Sequence, residues 1–220
     1  MNGMSNTQEN RVKVLSIRGM TVISLLSAIA VVLMLFNIPL WFAPNFYKID
    51  FSEVPVLIGA FTLGPIAGVL IEMIKILLNL LIKGTDSVFV GEIANFILGC
   101  ALVIPSALIY HTNRSKKAAV VGLSVGTIIF IVAGCLLNAY LLLPTYAKLF
   151  HIPIDSLVEM GTAVNPSINS LSTFVFFAVA PFNLIKGVAV SLITILLYKR
   201  VSPIIKGYNN NIRRAKINKK

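Results

Sequence analysis

The 220-residue sequence has little charge: Asp, Glu, Lys and Arg together make up 12% of it, and only eight residues are acidic. A soluble domain carries about a quarter charged residues, so an ordinary cytosolic enzyme, a disordered chain and a nucleic-acid-binding domain are excluded. Catalytic signatures are missing too. There is no Gly-x-x-x-x-Gly-Lys-[Ser/Thr] phosphate loop for binding ATP, and neither HExxH nor GxSxG occurs. The two cysteines, Cys100 and Cys135, lie in apolar runs without CxxC spacing or neighbouring histidines. Metal and redox roles therefore lack support, and buried, inert thiols are expected. No catalytic residue, metal or cofactor is anticipated.

Apolar residues are abundant, at 57% of the chain with a mean hydropathy of +0.88. A membrane span needs about 20 mostly apolar residues. Six apolar runs are read as spans, although the second falls short of that length: Arg18 to Phe42, Val54 to Leu63, Pro65 to about Ile82, Val88 to Tyr110, Ala118 to about Leu143, and Leu171 to Tyr198. The second is short and ends at Gly64-Pro65, where proline breaks one helix for want of an amide donor and starts the next. Pro144 to Ser170 is polar enough to leave the bilayer, with room for a short surface helix. The first run is too long for a signal peptide, lacks a small-residue cleavage site and is followed by further spans, so it is read as retained. The expected fold is an all-α integral membrane protein, six transmembrane helices in one compact bundle. Residues 1–17 form a cytoplasmic segment, 18–200 the bundle, and 201–220 a basic cytoplasmic tail.

The net charge of +11 is unevenly distributed. Arg11, Lys13 and Arg18, then Arg114, Lys116 and Lys117, then eight basic residues from Lys199 to Lys220 fall on one side of a six-span topology. The other side has only Lys48, Lys83 and Lys148. The positive-inside rule places both termini in the cytoplasm. The basic tail then serves as an orientation signal touching anionic lipid, with no nucleic-acid partner.

Ionisable groups inside spans are costly and mark functional candidates. Glu72 and Lys75 in the third run, Glu92 in the fourth and Lys186 in the sixth are accompanied by the amides Asn79, Asn95, Asn138 and Asn183. With the orientation above, Asn79, Glu92, Asn95, Asn138, Asn183 and Lys186 fall at similar depths nearer the outside, a layout suited to an outward-facing cavity for a polar small molecule. Gly91, Asn95 and Gly99 give one bare helix face, fit either for a flat ring or for close helix packing. Glu72 and Lys75, at i,i+3, are read as a structural ion pair. Interhelical hydrogen bonding is the alternative role for Asn138 and Asn183. Lys186 has no acid within one turn, so its partner lies across the bundle or on a ligand, with Glu92 as a candidate. His111 and His151, at span edges, are expected to face solvent or headgroups. The outer loop Asn45–Glu53, with Phe46, Tyr47, Asp50 and Phe51, reads either as a lid over the cavity or as part of the interfacial aromatic belt.

The stretch Lys48-Ile-Asp-Phe-Ser-Glu-Val-Pro-Val-Leu-Ile-Gly-Ala-Phe-Thr-Leu-Gly-Pro-Ile-Ala-Gly68 resembles the first-loop and second-helix region of the S components of energy-coupling factor (ECF) vitamin transporters. Gly91-Glu-Ile-Ala-Asn95, Asn138 and Pro181-Phe-Asn-Leu-Ile-Lys186 look most like the riboflavin-specific branch, and the resemblance covers roughly residues 15 to 200. It implies a six-helix fold holding the vitamin between the first loop and the outer ends of helices four to six. Asn138, Asn183 and Lys186 would hydrogen-bond the isoalloxazine ring or ribityl chain, and Gly91, Glu92 and Asn95 would line the pocket. It also implies docking with a transmembrane T component and two cytoplasmic ATPases in a bacterial cell membrane, followed by reorientation and inward release. The family docks through an Ala-x-x-x-Ala motif on helix one, and this chain has Ser24-x-x-x-Ala28. Both residues are small enough for close helix approach, and packing within the chain is the alternative. Three other readings stay open: an S component for another heteroaromatic vitamin, a small intramembrane enzyme acting on lipid, and a self-sufficient ion-coupled carrier.

Overall fold

The computed structural model describes residues 14, 16–41, 44, 47–85 and 87–217, with the side chains of 199 and 201–217 excepted. Its first helix, α1 (Ile17–Leu35), starts where the Ser16 hydroxyl accepts a hydrogen bond from the Gly19 amide, satisfying one of the donors that a helix start leaves orphaned. A minimal antiparallel pair follows, β1 (Ile38–Pro39) with β2 (Lys48–Ile49), in the register Ile38↔Ile49. The expected loop is thus pinned at its base by two short strands.

The chain then enters α2 (Glu53–Leu63), α3 (Pro65–Lys83) and α4 (Val90–Asn113). Gly64, at φ +117°, makes the sharp break between α2 and α3, a conformation closed to residues with a Cβ. Pro65 supplies the first residue of α3. The expected start of the fourth span at Val88 moves to Val90, because Val88 and Phe89 both adopt positive φ (51° and 68°) in the preceding turn.

Helix α5 (Lys116–Leu149) opens on a Ser115 cap and runs six residues past the expected Leu143. It continues through one π-helical turn, Asn138–Leu142, in which the Leu143 amide reaches back to the Asn138 carbonyl. Next, α6 (Ile154–Thr162) is the short helix expected in the 144–170 segment, but Leu157, Val158 and Ile168 are buried there, so this stretch caps the bundle instead of lying on its surface. Last comes α7, residues 171–217, made of Leu171–Phe174, a π-helical turn at Val175–Val179, and Ala180–Ile217. Most of the basic tail therefore continues the last helix; residues 218–220 and the basic residues of 1–13 lie outside the described residues.

Five helices are long and apolar enough to cross a membrane. The sixth, α2, has 11 residues and spans about 16 Å at 1.5 Å per residue, half the hydrocarbon thickness. Its position compensates for its length. Every residue from Glu53 to Phe61 is buried, enclosed by α1, α3, α4 and α7, so α2 meets no lipid along that stretch. Around it Leu57, Phe61, Ile71, Leu102, Val103, Leu123 and Val190 form the main core. The outer faces expose Leu25, Val32, Leu81, Ile128, Leu136 and Leu196, as a lipid-facing surface requires. With no water to expel between helices, such a bundle is held by close packing and buried polar contacts.

Candidate functional site

A cavity of about 680 Å³ opens at the end of the bundle away from Arg18, Arg114 and Arg200, between β2 and the outer ends of α3, α4, α5 and α7. Asp50, Asn79, Gly91, Glu92, Asn95, Asn138, Asn183 and Lys186 all line it. These are the residues expected from the sequence to bind a ligand except Phe46, which lies outside the described residues. Phe130, Leu98, Leu142, Leu143 and Phe182 supply apolar wall, and Lys48 and Lys83 stand at the same end.

Asn138 and Asn183 are each steadied by their own helix, which leaves part of their hydrogen-bonding capacity for the cavity. Asn138 donates through Nδ2 to the Gly134 carbonyl at 2.8 Å and Asn183 through Nδ2 to the Val179 carbonyl at 3.0 Å. Asn138 is the first residue of one π-turn and the acceptor Val179 the last of the other, and one-turn π insertions occur often at functional sites. The Asn183 carbonyl oxygen has no protein partner among the described residues. On the loop, the Tyr47 hydroxyl donates to Asn138 Oδ1 at 2.5 Å, and its ring packs against Phe182 with centroids 5.1 Å apart. Burial, with Tyr146 and Cys135 nearby, pushes the Tyr47 phenol well above its ordinary value, so it stays protonated and a donor.

Lys186 is paired with Asp50, Nζ to Oδ2 at 2.9 Å, and not with Glu92. The carboxylate comes from the loop because the residues after β2 turn inward over the cavity. Glu92 instead accepts a hydrogen bond from Ser87 at 2.9 Å, and the same Ser87 oxygen accepts from the Gly91 amide. Burial alone would raise the Asp50 carboxyl, but the Lys186 and Lys75 ammoniums and its bond from Ser52 outweigh this and lower it to about 2. At neutral pH the loop thus presents an anion, tied across the cavity to α7.

Glu72 and Lys75 do form an ion pair, at 2.7 Å, and Glu53 joins it with Oε1 2.7 Å from the same ammonium. Glu53, in sequence the last residue of the polar loop, lines the cavity; its place immediately before an apolar run is the signal for burial. His111 does not simply face solvent or headgroups: half-buried, it makes a 2.9 Å hydrogen bond to the Ala60 carbonyl at the end of α2. Cys100 and Cys135 are free and only partly buried. Ser24 and Ala28 are exposed on α1, so packing within the chain does not explain them.

Residues 18–198 match the family described as ECF transporter, substrate-specific component. The chain belongs to that family. It is therefore a multi-pass membrane component of a transporter, not an enzyme, which sets aside the lipid-modifying alternative. Among relatives of this S component, a riboflavin transporter RibU from Staphylococcus aureus (strain TCH60) is 37% identical over 184 residues, covering 84% of this chain and 90% of that one. The riboflavin transporter FmnP of Bacillus subtilis (strain 168) is 36% identical over 193 residues, covering 87% and 96%. A solved S component of a bacterial ECF transporter superposes with a TM-score of 0.66 at 35% identity, covering 85% of this chain and 96% of that chain.

Proposed function

We propose that this S component binds riboflavin in the cavity beneath the 47–53 loop. In this reading it captures the vitamin outside a bacterial cell and releases it inside. The observation that carries the proposal is the convergence of Asn138, Asn183 and Lys186, from two helices, on one apolar-walled cavity. A flavin combines a flat, largely apolar tricycle with a polar edge and a polyol. Phe130, Phe182 and Leu98 suit the first part, and amide and ammonium groups suit the second. Relatives named as riboflavin transporters support the same substrate.

Asn138, Asn183 and Lys186 are assigned to direct hydrogen bonding of the flavin, and Asn79, Gly91, Glu92 and Asn95 to the pocket wall. Asp50 and the loop residues Phe46 and Tyr47 are assigned to closure over it. ECF S components pair with an energising module. We assign Ser24 and Ala28, exposed on α1, to contact with its T component, while two partner ATPases supply the energy that a chain without a phosphate loop cannot. In this reading the cavity end faces outward and both termini face the cytoplasm, which the basic residues at the opposite end favour.

Purified protein from riboflavin-fed cells should be yellow, and added riboflavin should lose fluorescence on binding. Thiamine and biotin should not displace it. If either competes as well as riboflavin, the assignment passes to another vitamin; if no ring compound binds, the cavity has a different ligand.

A further inference from the structure

Outside the amide and ammonium set, the wall of the cavity leads into a buried ionic cluster with an uneven charge count. Lys75 on α3 sits 2.7 Å from Glu53 Oε1 and 2.7 Å from Glu72 Oε1, and all three side chains are at most 5% exposed. Asp50, whose field also reaches Lys75, is matched by Lys186. The connected cluster therefore holds three carboxyl groups and two ammoniums.

The helices packed around α2 and α3 are α1, α4 and α7, and among the described residues none of them places a third cation at the cluster. On α1 the basic residue is Arg18, at the far end of the helix. On α4, the Cys100 thiol feels both carboxyl groups, Glu92 is held at the cavity by Ser87, and His111 and Tyr110 lie at the opposite end, on Ala60 and Tyr198. On α7 Lys186 is already matched with Asp50, and Tyr198 lies beside Tyr110.

Two further observations show what balances the cluster. The Glu53 and Glu72 carboxyl groups share one ammonium, each with an oxygen 2.7 Å from Lys75 Nζ. Yet Glu53 Oε2 and Glu72 Oε2, both fully buried, lack a hydrogen-bond donor among the described residues, and Glu72 Oε1 has only the Lys75 ammonium beside it. Two buried carboxylates on one ammonium cannot both ionise at moderate cost, and a single shared proton removes the repulsion and supplies a missing donor. We propose that the Glu53–Glu72 pair is a proton-binding site that holds one proton at neutral pH, in the wall of the ligand cavity. The proton belongs to the pair and not to either residue. With it the cluster is neutral, as a site within a bilayer favours. Glu53 itself lines the cavity, as does Gly99, where an added Cβ would stand 2.4 Å from Glu72 Oε1, so the proton lies within reach of a bound molecule.

Infrared spectroscopy of the full-length protein in lipid nanodiscs tests this without any ligand, and so separately from the vitamin assignment. At pH 7 the wild type should show the carbonyl stretch of one protonated carboxyl per chain, shifting in D2O and on labelling with 13C-glutamate. Glu72→Gln should abolish it, because Glu53 then faces Lys75 alone; Glu53→Gln should abolish it for the mirror reason. A wild type with no such band at pH 7, or a band that survives either substitution, overturns the proposal. Should one variant fold poorly, the other decides together with the wild-type spectrum, in which the band must vanish as pH is raised.

Discussion

Lys186 and Asp50 form the ion pair that ties the loop after β2 to α7. Removing the ammonium alone leaves Asp50, 8% exposed, as a buried charge without its partner, which typically costs about 3–5 kcal/mol. Lys186→Ala should therefore lower thermal stability as well as riboflavin affinity, and adding Asp50→Asn should restore much of the stability without restoring the affinity. The pH dependence has a definite sign. The Asp50 carboxyl is lowered from 3.8 to about 2, so its stabilising contribution is present above about pH 4 and is lost as pH falls toward 2. Melting curves of wild type should drop across that interval, and Asp50→Asn should lack that part of the drop. Close by, a Cβ added at Gly134 would stand 2.4 Å from Asn183 Nδ2. Gly134→Ala should push that amide aside and weaken riboflavin binding roughly tenfold, about 1.4 kcal/mol, with unchanged helix content. Combined with Asn183→Ala it should add little, because both changes act through one group. Asn138, Asn183 and Lys186 were legible in the sequence because a polar side chain stands out in an apolar span. Asp50 and Tyr47 were legible only as parts of a loop over the cavity, not as the partners of Lys186 and Asn138: such residues are ordinary in a polar stretch, and only the inward turn after β2 brings them across the cavity.

Two elements, α5 and α7, share a device that their apolar patterns do not disclose. In each a five-residue π-turn is followed by one residue and then a proline: Asn138–Leu142 before Leu143-Pro144, and Val175–Val179 before Ala180-Pro181. Proline lacks the amide that would continue the ladder, and its ring crowds the preceding turn. Widening that turn relieves the crowding and lets each helix continue, which is why α5 passes the point where the sequence suggested an end. The two prolines were visible; that they would widen a turn and not stop a helix depended on packing against α6 and on each other's helix. Deleting Tyr140, 80% exposed, removes the extra residue from the first π-turn. Alone, the deletion returns Pro144 to a regular helix and should cost about 3 kcal/mol. Paired with Pro144→Ala it should regain stability but bind riboflavin at least about tenfold more weakly, since the turn that sets Asn138 beside Tyr47 has closed. Calorimetry with flavin titration separates the two effects.

At the scale of the molecule, the hydropathy pattern located all six apolar helices because lipid imposes the same demand on each. It could not say that α2 would be a half-length helix sealed inside the others, since burial in protein and burial in lipid select the same residues. The charge asymmetry is also a whole-molecule property. Lys116 and Lys117 are exposed at one end, and Lys83 is exposed at the other, where it lines the cavity. The positive-inside rule makes the Lys83 end external. In a background with Cys100 and Cys135 replaced by alanine, Lys83→Cys should react with a membrane-impermeant maleimide in intact cells, and Lys117→Cys only after permeabilisation. Riboflavin should slow labelling of the first site and leave the second unchanged, because only the first lies at the cavity. The reverse pattern of accessibility would invert the topology and place the cavity on the cytoplasmic face, where a subunit for uptake could not collect its substrate.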